Sequence, residues 1–155
     1  MTRLFCAALL FFLFSACASD AGNDEGNRKN GYTPELNNKE DSLFHEVMEG
    51  HDEAMAKMGK LAGDRKKIDQ RIDSLAKAPQ GANKKSIPEL TSISSALREA
   101  ENRMNDWMEK FNIDSAADNE EVRLPYLESE KSKVYQVRDD IFAALQKADS
   151  ALEKP

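Results

Sequence analysis

The mature part of this chain predicts an all-α fold, an antiparallel three-helix bundle with coiled-coil-like packing preceded by a signal peptide and a flexible tether. Three observations carry that expectation. Apolar residues recur at steps of three and four along three long segments, two short polar connections separate those segments, and no segment has the alternating β-branched pattern of a strand.

The first helix is expected over about 34–77, with Thr33 as N-cap and Pro34 in the first turn. Its stripe reads Phe44, Met48, His51, Met55, Met58, Leu61, Arg65, Ile68, Ile72 and Leu75. A turn around Ala82 leads to the second helix, expected over about 87–112, where Ser86 and Glu89 have capping-box spacing. Its stripe is Leu90, Ile93, Leu97, Ala100, Met104, Trp107 and Phe111. The third helix is expected over about 119–153, with Asp118 as a candidate cap and a stripe of Leu127, Val134, Val137, Ile141, Leu145, Ala148 and Leu152. Pro125 predicts a kink or a short separate helix before Tyr126. The folded part therefore spans 34–155.

Ahead of the bundle stand a lone Arg3, an unbroken apolar and small run from Leu4 to Phe14, and Phe14, Ser15 and Ala16 before Cys17. This is the grammar of a lipoprotein signal peptide, residues 1–16, cleaved ahead of a cysteine that takes a diacylglyceryl group. An ordinary secretory signal with an incidental cysteine is the competing reading. The apolar run is shorter than the roughly 20 residues that a membrane-spanning helix needs. Residues 17–33 are small and polar and predict a tether holding the bundle roughly 20 Å from the lipid. Asp20, Asp24 and Glu25 read either as solvated linker or as a sorting signal. The expected location is the cell envelope, lipid-anchored, at the outer membrane of a Gram-negative bacterium.

The 22 Lys and Arg against 28 Asp and Glu give a net charge of −6, and cleavage removes one further cation, Arg3, to leave −7. Such a surface argues against nucleic acid, whose binding needs phosphate neutralisation, and leaves the acyl chains to supply membrane affinity. Cys6 falls in the discarded segment and Cys17 is consumed by the lipid, so no disulfide is expected.

Folding the helices on their turns sets Met55 level with Trp107 and Met108, Met58 level with Asn105, and Met104 level with Tyr126. Met48, Met55, Met58, Met104 and Met108 then gather in one half beside His51, Trp107 and Phe111. Two readings compete. Methionine is an adaptable filler of irregular cores; thioethers with imidazole also suit Cu(I), so His51, Met55, Met58, Met104 and Met108 form a candidate copper set, and His45 could join only by turning inward. Trp107, Phe111 and Tyr126 are the candidate surface for a partner or apolar ligand. Without such a ligand, His51 is expected to pair with a carboxylate from another helix, Trp107 to anchor the core, and Arg65 to reach Glu101 or extend to solvent. The charged runs 64–67 and 128–133 read as solvated faces. There is no Gly-rich phosphate loop, nucleophile motif or cysteine-based metal spacing, and no carboxylate stands out at a stripe position, so no catalysis is expected and no cofactor beyond the lipid.

The segments 51–58, 104–111 and 126–134, built on His51, Met55 and Met58, on Met104, Trp107, Met108 and Phe111, and on Tyr126, Glu130 and Val134, resemble those of small helical bacterial lipoproteins often automatically labelled "viral A-type inclusion protein". The resemblance implies a bundle and an envelope location. It implies no activity and no family site. The expected function is a non-enzymatic, membrane-anchored scaffold or partner-binding module, with a copper or apolar-ligand carrier as the alternative and self-association as a further possibility.

Overall fold

The computed structural model describes residues 36–79 and 84–153. The signal peptide, Cys17, the tether, Thr33 and Pro34 lie outside the described residues. Helix α1 spans Lys39–Lys77, a 3-10 turn Lys84–Ser86 leads into α2 at Ile87–Lys110, and α3 spans Glu120–Leu152; each helix packs on the other two. Among the described residues there is no strand, and no helix is long and apolar enough to cross a membrane.

The helix starts differ from expectation for local reasons. Asn38 caps α1 from an extended backbone, its side chain accepting from the Asp41 N–H at 2.8 Å, with Glu40 and Asp41 in the first turn favouring the N-terminal dipole. Helix α2 is entered through the 3-10 turn, so Ser86, at its boundary, already has helical backbone angles. Asn119, rather than Asp118, stands at the α3 boundary. Pro125 lies inside α3, which continues through it as one element instead of breaking into two.

Pair order fixes the helix directions. Glu46 meets Lys131 at 2.7 Å and Glu53 meets Arg138 at 3.0 Å, seven residues further along both helices, so α1 and α3 run parallel. Arg65 with Glu101, and Asp69 with Ser94, advance along α1 while retreating along α2. The same reversal relates Arg103–Asp140 and Trp107–Glu130 across α2 and α3. The bundle is therefore up-down-up.

Its core is a single cluster that includes Leu61, Ile68, Leu97, Met104, Val134 and Ile141. The α2 stripe is buried as expected from Leu90 to Trp107, and the α3 stripe from Leu127 to Ala148. The α1 stripe is displaced by one residue in its first half: Leu43, Val47, Gly50 and Ala54 are buried, whereas Phe44, Met48 and His51 are only half-buried and Met55 is exposed. Close approach explains this shift. A Cβ on Gly50 would lie 3.0 Å from the Tyr135 ring and 3.1 Å from Val134, so the tightest line of contact with α3 runs over small residues and turns the larger ones outward.

Candidate functional site

An aromatic ladder crosses the end of the bundle where α1 and α3 begin and α2 ends. The His51 ring lies 5.7 Å from Trp107, Trp107 stacks on Phe111 at 4.9 Å, and Phe111 stacks on Tyr126 at 6.3 Å. These separations fall in the range where ring pairs attract beyond their burial. The ladder ends on the helix terminus itself. The Tyr126 hydroxyl accepts from the Asn112 N–H at 2.8 Å and donates to the Asn112 carbonyl at 3.0 Å. The expected register set Met104 level with Tyr126, but the partner is Phe111, because the nine residues 111–119 connect α2 and α3 asymmetrically.

The three residues proposed as a partner surface are thus brought together, with Trp107 7% exposed and the other two half-buried. Trp107 anchors the core. Its indole N–H donates to Glu130 Oε2 at 3.0 Å, and Lys133 Nζ donates to Glu130 Oε1 at 2.7 Å. Beside this pair opens a groove of about 600 Å³ between α2 and α3, bordered by Arg103, Asp106, Lys110 and Lys133.

Glu130 corrects the expectation that 128–133 is a solvated face: its side chain is only 8% exposed. Asp64 makes the same correction for 64–67, being 2% exposed and held by Lys60 and by Lys67 at 2.9 Å. Burial pushes the Asp64 carboxyl up, and the two ammonium groups overrule it, so it stays below the ordinary carboxylate range. Lys60 also holds Asp149 on α3, and these two carboxylates keep its ammonium above the ordinary lysine range. Both buried acids keep the apolar stride of their helix. Leu61–Asp64–Ile68 and Leu127–Glu130–Val134 each keep the three-four step of the stripe.

Arg123 is the other buried charge that the sequence reading missed. Its guanidinium donates to the Ile113 and Ser115 carbonyls at 2.7 and 2.8 Å and to Glu40 at 2.8 Å, tying the α2–α3 connection to the start of α1. Ala116, in that connection, has φ 55°. Three large apolar side chains are about half exposed: Ile113 in that connection, Val122 next to Arg123 in sequence, and Leu36 ahead of α1.

The proposed copper set divides. Met104 is fully buried, Met58 packs against the core from its edge, and Met55 and Met108 are more than a third exposed. His51 does not reach a carboxylate on another helix; its Nδ1 pairs with Asp52, its neighbour in sequence, at 2.9 Å. Arg65 meets Glu101 at 3.4 Å, as the register suggested, while its Nε has no hydrogen-bond partner.

No protein-family model, curated protein or solved structure matches the chain.

Proposed function

We propose that this chain is a non-enzymatic, lipid-anchored envelope protein whose helical bundle serves as a scaffold that docks a protein partner. The observation that carries the reading is the exposure of Ile113 and Val122, the first bonded through its carbonyl to Arg123 and the second next to it in sequence, at the end of the bundle where Leu36, just ahead of α1, is exposed too. Apolar side chains exposed in this way favour a partner that removes them from water. The location rests on Arg3, the apolar run from Leu4 to Phe14, and Cys17.

Pull-down from native membranes with the full-length chain tests the reading against an Ile113→Lys/Val122→Lys double variant. A membrane protein retained by the parent and lost from the variant supports docking at this end. Identical retention by both overturns it. Mass spectrometry of the native product tests the anchor separately, since an unmodified amino terminus removes the envelope tether. Sedimentation over a concentration range distinguishes a second copy of the chain from a different partner.

A further inference from the structure

The geometry points to a binding site for a soft monovalent metal ion, Cu(I) or Ag(I), on the open edge between α1 and α2, built from His51, Met55 and Met108 with Met58 beside them. The edge is defined by its polar rungs. Ser94 meets Asp69 at 2.5 Å and Glu101 meets Arg65 at 3.4 Å. One heptad beyond Glu101 on α2 stands Met108, and one heptad before Arg65 on α1 stands Met58, with Met55 a turn further on. The antiparallel register thus continues from two polar rungs into one made of thioethers. His51 closes the row, its ring 5.7 Å from Trp107, the residue next to Met108.

Two features separate this edge from ordinary core filling. Met55 is 38% and Met108 37% exposed, whereas Met104, one turn before Met108, is fully buried, so the thioethers of the first two are open to an ion arriving from solvent. The second feature is the imidazole. Nδ1 of His51 lies 2.9 Å from Asp52 Oδ1, and the tautomer that donates through Nδ1 to this carboxylate leaves a lone pair on Nε2 for a metal. A carboxylate on the far nitrogen is the usual way a ligating histidine has its tautomer and basicity set. The donors this edge offers are the thioethers of Met55, Met58 and Met108 and the imidazole of His51, a set that suits Cu(I) or Ag(I) rather than harder cations.

Trp107 is the only tryptophan in the chain and serves as the reporter. Silver nitrate, a redox-silent probe, is titrated into the full-length protein in chloride-free buffer while its fluorescence is followed, and Cu(I) affinity is then measured anaerobically by competition with a coloured chelator. Saturable quenching is expected in the parent. Met55→Leu/Met108→Leu, which conserves volume and should retain the helical circular dichroism, is expected to abolish it, while Met104→Leu leaves it unchanged. Asp52→Asn is expected to weaken Cu(I) binding roughly ten- to a hundredfold. Absence of saturable quenching in the parent, or parental binding by the doubly substituted chain, overturns the site and leaves these methionines as packing alone.

Discussion

The Trp107 indole N–H donates to the carboxylate of Glu130 at 3.0 Å, and both residues are under a tenth exposed. This bond joins α2 to α3 at the centre of the aromatic ladder, where the indole also stacks on Phe111. The alternative for Glu130 is a buried carboxyl group with only Lys133 to meet it. Trp107→Phe keeps most of the ring stacking and removes the donor. It should cost about 1–3 kcal/mol in urea unfolding. Glu130→Gln retains an acceptor for the indole and should cost less than Glu130→Ala; equal losses in the two variants would show that the hydrogen bond contributes little.

The glycines of α1 separate intrinsic helix propensity from packing. Nothing lies within 4 Å of a Cβ built on Gly59 or Gly63, whereas one on Gly50 presses on Tyr135. Gly59→Ala and Gly63→Ala should each stabilise the protein by about 0.5–1 kcal/mol. Gly50→Ala should fall well short of that gain or reverse its sign, because Tyr135 is held by Arg138, stacked 4.2 Å over its ring. Thermal unfolding of the three variants under one condition checks the ordering.

Legibility in the sequence followed the same division. The stripe of α2 could be read residue by residue because every position from Leu90 to Trp107 on the three-four stride is apolar or small and sits where the helix faces both partners. In α1 the stride was visible but its centre was not. Periodicity weights bulky Phe44, Met48 and Met55 over Val47, Gly50 and Ala54, although it is the small residues that allow α3 to come close. Asp64, Arg123 and Glu130 were hidden for another reason. A charge within a polar run reads as solvated unless its stripe position is given more weight than its chemistry, and their compensating partners Lys60, Glu40 and Trp107 come from other turns or other helices. For the candidate site, the methionines, His51 and the aromatic residues were identifiable from the sequence, but which of them face solvent depends on the displaced α1 stripe.

Arg123 closes the end of the bundle with one side chain bonded to three oxygens on two segments. Replacing it by lysine keeps the charge but not the fork that serves Glu40 and two carbonyls together. Arg123→Lys should therefore lose about 1–3 kcal/mol, and Arg123→Ala should lose more because the acceptors are left without their donor. Hydrogen exchange gives the local readout. Amides of 113–119 and of the first turn of α1 should exchange faster in both variants, while those near Ile68 and Leu97 slow or speed only in proportion to global stability.

Asp64 contributes to stability in a way that is lost in acid. Its carboxyl is lower in the folded chain than its ordinary value of 3.8, so the unfolded chain binds a proton first as pH falls. Its contribution is therefore complete above that value and disappears as pH drops through the folded pKa. Lys60 behaves in the opposite sense: its folded pKa lies above 10.5, so its contribution is intact below that value and is lost as the solution becomes more alkaline than the folded pKa. Because Lys60 and Lys67 are largely solvated, the acid-side contribution should be modest, and Asp64→Asn should cost about 1–2 kcal/mol at neutral pH. Urea unfolding from neutral pH down to about pH 2 should show the parent and Asp64→Asn curves converging in acid. A gap that stays constant with pH would mean that Asp64 stabilises the bundle through shape and neutral hydrogen bonding, and that the two ammonium groups contribute nothing through its charge.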